Sequence, residues 1–314
     1  MRLTAPLADV KTMTSPHTPI RLAPRAGKVA VIGANSNLGR RIVLALGADA
    51  IPIARLSLPA AYPIRTVLVP DYANIPASAF DGCVAVVNCV GIASGSPEMM
   101  TRVNVDLSAE VVRAVEKNGI TRIVHISSFS VYGKAEHIDE STFEKPLDAY
   151  GESKLKGDQA LLSITAIDVA ILRLPAIIGH RIPSKLAQLV SVWRKLSILP
   201  VAQHAERSMI SIDAAAAAAC VLARAEGPVR GKWLVADPNP VNLLKLARPA
   251  EMSTKGRLRA LVLPNILTTA LRQILPGVFD KVYGSSVLVA ESNAYCTLGL
   301  TSRLDEEIKR MIEE

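Results

Sequence analysis

Residues 28–33, Lys-Val-Ala-Val-Ile-Gly, form a short apolar run closed by a glycine, the pattern of a buried strand. Residues 38–46 change period, with Leu38, Ile42, Val43 and Leu46 on one helical face. Further apolar runs predict strands over 50–55, 66–70, 84–90, 120–127 and 168–174. Helical periodicity fills 101–118, stopping at Gly119, and 150–163. Strands separated by helices imply βαβ crossovers, hence an α/β fold of Rossmann type with a doubly wound parallel sheet. The alanine run 214–219 reads as a tightly packed helix. After Gly179 the pattern changes to shorter pieces, over 184–195, 200–213 and a tail from 241.

This gives three regions: a loosely ordered arm over 1–27, a Rossmann-type domain over 28–180, and over 181–314 mainly a smaller C-terminal lobe, with segments returning to the Rossmann-type domain. The arm carries Pro6, Pro16, Pro19 and Pro24 without sustained periodicity, and it holds no apolar core of signal-peptide type. No run of ~20 apolar residues is present, so no spanning helix is expected.

Composition narrows the function classes. With 50% hydrophobic and 20% charged residues the chain is globular rather than disordered. Aromatics are only 4%, which leaves few stacking platforms and argues against single-stranded nucleic acid as a partner. The net charge of +8 suits an anionic substrate such as a nucleotide diphosphate, and is also that of many ordinary basic proteins. Cys83, Cys89, Cys220 and Cys296 have no metal-ligand spacing and read as free thiols of a reducing compartment. His17, His125, His137, His180 and His204 are scattered singly, so no metal is expected.

Tyr150-Gly-Glu-Ser-Lys154 places a phenol and an ammonium one helical turn apart. A free tyrosine titrates near ~10, and a neighbouring ammonium favours its phenolate. Upstream, the strand ending at residue 127 runs into a hydroxyl-rich turn with Ser128 and Ser130, where open α/β sheets place their ligands. Near the start, Gly33 and Gly39 fall where a dinucleotide fold needs a tight turn and close helix packing, with a pyrophosphate over the helix N-terminus. The order of glycine turn, serine strand and YxxxK carries more than any of the three alone.

These motifs, with Val103-Asn104-Val105, Arg173-Leu-Pro175, the 207–213 segment and Leu298-Gly-Leu300, resemble the extended short-chain dehydrogenase/reductase family of nucleotide-sugar epimerases, dehydratases and 4-keto reductases. The resemblance runs from about residue 28 to the end. It implies that Ser128, Tyr150 and Lys154 are catalytic. It also implies cofactor contacts from Gly33, Asn35, Ser36, Asn37, Leu38, Gly39, Asp71, Val90, Gly91, Asn104, Tyr150, Lys154 and Pro175. Ser128, Ser130 and Arg207 would face substrate, and Lys185, Arg194 and Lys195 are further cations of a substrate-binding lobe. Ser36 departs from the pattern, standing where the family has its middle glycine.

Arg55 closes the second strand where NAD-binding folds usually carry a carboxylate. It either meets a 2′-phosphate, which puts NADP ahead of NAD, or faces solvent. The expected activity is 4-keto-sugar reduction on a nucleotide-diphosphate or polyprenyl-diphosphate sugar. The alternatives are a 4-epimerase with retained NAD and a non-catalytic cofactor-binding or assembly subunit. A dehydratase is disfavoured, because Phe129-Ser130 follows Ser128 where that branch has acids. A cytoplasmic homodimer is expected. The apolar, arginine-bearing segment 257–276 reads either as a pair of lobe helices broken at Pro264 or as a contact with the inner membrane face.

Overall fold

The computed structural model describes residues 26–59, 62, 64–179, 191, 195, 197–201, 205–242, 259–264, 273 and 284–313. The 1–25 part of the arm, Lys185, Arg194 and most of 257–276 lie outside the described residues.

Seven parallel strands form the central sheet: β1 (Lys28–Ile32), β2 (Ala50–Ala54), β3 (Val67–Leu68), β4 (Cys83–Asn88), β5 (Arg122–Ser128), β6 (Asp168–Leu174) and β7 (Gly231–Leu234). Their spatial order is β7-β6-β5-β4-β1-β2-β3. Apolar strands of this kind need cover on both faces. On one face α1 (Asn37–Leu46) and α5 (Ile212–Arg224) complete a core with Val29, Val31, Val87 and Leu172. On the other, α3 (Leu107–Lys117) and α4 (Ala149–Leu162) cover Ala30, Ile32, Val86 and Ile171. The alanine run is the buried face of α5: Ala214, Ala215, Ala216, Ala218 and Ala219 lie against the sheet and α1. A larger side chain there would overfill the gap, at a cost of about 1–3 kcal/mol.

The order reverses between β1 and β4. That crevice at the carboxyl edge is where doubly wound sheets bind ligands. Gly33 turns the chain out of β1 with φ 77°, and a Cβ there would stand 3.1 Å from both the Cys89 carbonyl carbon and the Val90 nitrogen.

The expected strands and helices are present, with instructive differences. The third strand shortens from 66–70 to Val67–Leu68 at the sheet's edge, although Val69 still donates to the Ala54 carbonyl at 3.0 Å. The expected helix 101–118 is three pieces: α2 (Pro97–Thr101), a π-turn (Arg102–Asp106) and α3. The wide turn carries the buried Asn104. Gly157 on α4 admits it, since a Cβ at 157 would stand 2.5 Å from the Asn104 carbonyl oxygen.

In the C-terminal part, Ala176–Ile178 pairs with Met209–Ser211, Glu206–Arg207 with Val241–Asn242, and His137–Ile138 with Val287–Leu288. Residues Arg259–Val262 form a strand parallel to Ile198–Val201, which corrects the expected helix before Pro264. Strand pairing across some sixty positions overrides the helical look of a leucine-rich stretch.

Candidate active site

Ser128 is the last residue of β5 and caps the short helical turn after it, its Oγ accepting from Ser130 N at 3.1 Å. Tyr150 is the second residue of α4, whose N-terminus is capped by Asp148 accepting from Gly151 N at 2.9 Å. The Tyr150 phenol lies near the Ser128 hydroxyl. Gly151 makes this approach possible, because a Cβ there would stand 2.6 Å from the Ser130 carbonyl oxygen. Burial pushes the Tyr150 phenol above its usual range, and the Ser128 hydroxyl partly offsets the rise.

Lys154 follows one turn later and is 4% exposed. Its Nζ donates to the Ile126 carbonyl at 2.7 Å and lies 3.2 Å from His125 Nε2. Burial pulls this lysine down to about 8, against the opposing charge of Asp158. Burial is the largest influence on the Tyr150 phenol.

Around this set lies buried polar structure that sequence reading missed. Asp158 accepts from Ser127 Oγ and from Arg173 Nε, both at 2.9 Å. Arg173 Nη1 donates to Tyr132 Oη and Glu144 Oε1, each at 2.7 Å. His125, wholly buried, is held well below its ordinary titration range by burial and by Lys154. Its Nδ1 lies 3.2 Å from Asn88 Nδ2. Only Arg173 stood in a quoted motif; His125 was signalled by a polar side chain inside an apolar strand, and Asp158, on α4, had no local signal.

The glycine turn holds the other end of the crevice. Gly39 sits where a Cβ would stand 2.5 Å from the Gly33 carbonyl oxygen. Ser36 adopts ordinary extended backbone, φ −69°, and caps α1 by accepting from Gly39 N at 3.0 Å. It thus replaces the family's glycine without strain, and its hydroxyl proton stays available for an anion. Asn35 Oδ1 accepts from Arg40 Nε at 2.9 Å, Asn37 begins α1 and Leu38 is buried beneath it. A turn whose glycines leave backbone amides unshielded at a helix N-terminus fits a pyrophosphate.

Between the two ends, a Cβ on Gly91 would stand 3.2 Å from Asn104 Oδ1 and 3.8 Å from Lys154 Nζ. Val90 N donates to Asn88 Oδ1 at 3.0 Å, and Asn104 bridges Ile92 and Ser153. The remaining expected contacts are more dispersed. Arg55 is exposed with its guanidinium 5.9 Å from the Tyr72 ring centre. Asp71 Oδ1 accepts from Ala73 N and Asn74 N at 2.9 Å, so it shapes its own loop. Ser130 Oγ is buried without a hydrogen-bond partner, and Pro175 joins β6 to Ala176–Ile178. Arg207 donates from Nε to the Gly284 carbonyl at 2.7 Å, and Lys195 is exposed. Cys83, Cys89, Cys220 and Cys296 are free thiols, and burial pushes Cys89 up to about 12. Among the described residues, no group of three or more His, Cys, Asp or Glu could hold a metal ion, and no helix is long and apolar enough to cross a membrane.

The fold defines a Rossmann-type protein in which Ser128 at the end of β5 and Tyr150 and Lys154 on α4 stand beside the carboxyl edge of the sheet. The chain belongs to the NAD dependent epimerase/dehydratase family, whose model matches residues 29–235. It is 35% identical over 85 residues to the N-acetyl-alpha-D-glucosaminyl-diphospho-ditrans,octacis-undecaprenol 4-epimerase of Escherichia coli O157:H7, a stretch covering 25% of this chain and 26% of that relative. Among solved structures it resembles the UDP-N-acetylglucosamine 4-epimerase of Methanobrevibacter ruminantium M1 in complex with UDP-N-acetylmuramic acid, with TM-score 0.72, 17% identity, and 92% and 98% of the two chains covered. A further likeness is to the dTDP-4-dehydrorhamnose reductase of Bacillus anthracis str. Ames in complex with NADP, with TM-score 0.64, 16% identity, and 92% and 98% covered. At such identities the two structures share the fold alone with this chain.

Proposed function

We propose that the chain is a 4-epimerase of diphosphate-linked sugars that retains its dinucleotide. The observation that carries it is Tyr150 near the Ser128 hydroxyl and one turn before the buried Lys154, on a chain that is similar over 85 residues to a 4-epimerase. Gly33, Asn35, Ser36, Asn37, Leu38 and Gly39 would hold the pyrophosphate, Arg55 and Asp71 the adenosine side, and Val90, Gly91, Asn104, Lys154 and Pro175 the nicotinamide side. When bound, the cofactor would supply hydride acceptance and return at the sugar's C4. Tyr150 would act from its phenolate form, favoured by the Lys154 ammonium: it would take the proton of the C4 hydroxyl as the carbonyl forms, become the phenol, and give the proton back when the alcohol re-forms. Ser128 hydrogen-bonds the same oxygen throughout, and Lys154 orients Tyr150 from the next turn. Substrate and product differ only at one carbon, so one shared proton suffices.

The carrier we favour is a polyprenyl diphosphate, in line with the relative's undecaprenol-linked substrate. Leu261 and Val262 on the strand Arg259–Val262 are 55% and 44% exposed, apolar positions suited to an interface beside a lipid-linked sugar. Lys195 and Arg207 are cations for its diphosphate, and a homodimer is the assembly we expect.

The test is incubation of the full chain with UDP-N-acetylglucosamine and, separately, with its undecaprenyl-diphosphate counterpart, without added reduced cofactor. The expected result is a mixture of both C4 epimers by NMR, with the lipid-linked sugar preferred. Failure on both, with stoichiometric NADPH consumption on a 4-keto sugar, would establish the second reading, a 4-keto reductase. The observation favouring that reading is Arg55, an exposed guanidinium at the end of β2 suited to the 2′-phosphate of NADP.

A further inference from the structure

We propose that Asp158 is a positioning residue for Ser128, Tyr150 and Lys154: a fully buried carboxylate, fixed by Ser127 and Arg173, that supplies the negative charge for the Lys154 ammonium. This rests on reading those three residues as the catalytic set.

Asp158, Arg173, Lys154 and Ser127 are 0%, 1%, 4% and 5% exposed. Asp158 follows Lys154 by four positions on α4, so the two share a helix face, and both reach β5. A charge in such a place is costly unless it is paired. Asp158 Oδ2 accepts from Ser127 Oγ and from Arg173 Nε, both at 2.9 Å. Oδ1 is buried with no hydrogen-bond partner among the described residues, and so is Arg173 Nη2. A pair that served only to clamp α4 to β6 would gain most from a bidentate fork, with both oxygens engaged. Here the guanidinium reaches elsewhere, its Nη1 donating to Tyr132 Oη and Glu144 Oε1 at 2.7 Å each. One oxygen of the carboxylate is thus left out of the clamp, one helical turn from an ammonium. The other oxygen holds Ser127, the neighbour of Ser128, so a single side chain braces the serine strand and the tyrosine helix together.

The titratable neighbours on the surrounding elements do not offer that charge. His125 on β5 has its Nε2 3.2 Å from Lys154 Nζ, but burial and the Lys154 charge hold the imidazole well below its ordinary range, so it is neutral. Cys89, past the end of β4, is pushed up to about 12 by burial and is a neutral thiol. Glu144, before α4, is taken by Arg173 and Lys232. Tyr150, one turn earlier on α4, is pushed up chiefly by burial, and Asp158 is the smallest of the influences on it. On Lys154 the order differs. Burial pulls this lysine down to about 8, and Asp158 is the largest influence opposing it. Burial raises the Asp158 carboxyl in turn, while Arg173, Lys154 and Ser127 act against the rise. Without the carboxylate, burial would take the Lys154 proton nearer neutral pH, and with it the charge that favours a Tyr150 phenolate.

The test is a titration of the Lys154 side chain by carbon NMR in the cofactor-free full chain carrying labelled lysine, its signal identified by its loss in Lys154→Arg. In Asp158→Asn the midpoint should fall by about one pH unit, the lower end of what a close opposite charge supplies. An unchanged or raised midpoint overturns the proposal and leaves the pair a clamp alone. Should Asp158→Asn not fold, the double variant Asp158→Asn with Arg173→Gln serves, because it leaves neither charge buried unpaired. The same fall is expected there, and an unchanged midpoint again overturns the proposal. Arg173→Lys is the control for the clamp, keeping a positive charge beside Asp158 while losing the fork to Tyr132 and Glu144. Its Lys154 midpoint should stay near that of the wild type. A fall as large as in Asp158→Asn would mean that loosened packing moves the lysine, and would sink the idea. Turnover of Tyr150→Phe separates the two readings. If turnover is lost and Asp158→Asn lowers the Lys154 midpoint, both stand; if Tyr150→Phe stays active with that same fall, only the catalytic assignment is refuted.

Discussion

In the function proposed, the two ends of the crevice would hold their ligands by different means. At the β1–α1 end the working groups are backbone amides, exposed because Gly33 and Gly39 have no side chain to fill the space, with Ser36 as the local cap. At the β5–α4 end they are side chains, and their state is set by burial: Lys154 is pulled down to about 8 and Tyr150 is pushed up. Steric changes should therefore break the first end, and single-atom changes the second. A mutation that conserves shape but removes an ionisable atom distinguishes them most sharply.

The largest effect should follow from Tyr150→Phe. Only the phenol oxygen beside Ser128 is lost, so the fold and cofactor binding should persist. Turnover should drop ~10²–10⁴-fold, the usual share of acid–base catalysis. Steady-state rates beside a cofactor titration check both halves, and near-normal turnover would remove Tyr150 from the chemistry.

Gly151→Ala should come next, because it brings steric sensitivity into the side-chain end. A methyl group 2.6 Å from the Ser130 carbonyl oxygen and 2.9 Å from Pro146 Cβ must push the start of α4 away from the serine turn. Displacing Tyr150 by about an ångström is worth roughly 10²-fold in rate. The fall should appear in kcat with cofactor affinity retained; equal loss of both would mean that the two ends are not separable.

That glycine also marks the limit of what local sequence reveals. Ser128, Tyr150 and Lys154 were legible because a strand end and an i,i+4 spacing are short-range patterns, and β1, β4, β5 and β6 because buried parallel strands are written as apolar runs. His125 and Asp158 were not legible. Their partners Asn88, Lys154, Ser127 and Arg173 lie 37, 29, 31 and 15 positions away, and only the fold brings them together. The same distance hid the strand Arg259–Val262, whose partner is Ile198–Val201. The π-turn at Asn104 was hidden differently, since one extra residue in a helical turn leaves the apolar period almost intact.

Arg55→Ala addresses the one side chain at the first end proposed to meet the cofactor's adenosine side by charge. If Arg55 leaves the Tyr72 ring for a 2′-phosphate, NADPH should bind the wild type more tightly than NADH, and the substitution should erase the difference. One charge-assisted contact is worth roughly 1.5–3 kcal/mol, about one to two decades in affinity. Equal affinities in the wild type would make this end all backbone and favour retained NAD.

Ser36 gives the smallest and most diagnostic effect. Its hydroxyl caps α1 at Gly39 N, so Ser36→Ala should cost about 1 kcal/mol of stability, whereas Ser36→Gly should cost only a few tenths. Glycine also restores the wider approach to the turn that the family pattern has. If Ser36 serves only as a cap, dinucleotide affinity should be unchanged in Ser36→Gly while Ser36→Ala unfolds at lower denaturant. If the hydroxyl proton also reaches a phosphate oxygen, both variants should bind more weakly by a similar factor despite their different stabilities. Denaturant midpoints and cofactor titrations on the two variants separate these outcomes, because the cap acts on folding and the phosphate contact on binding.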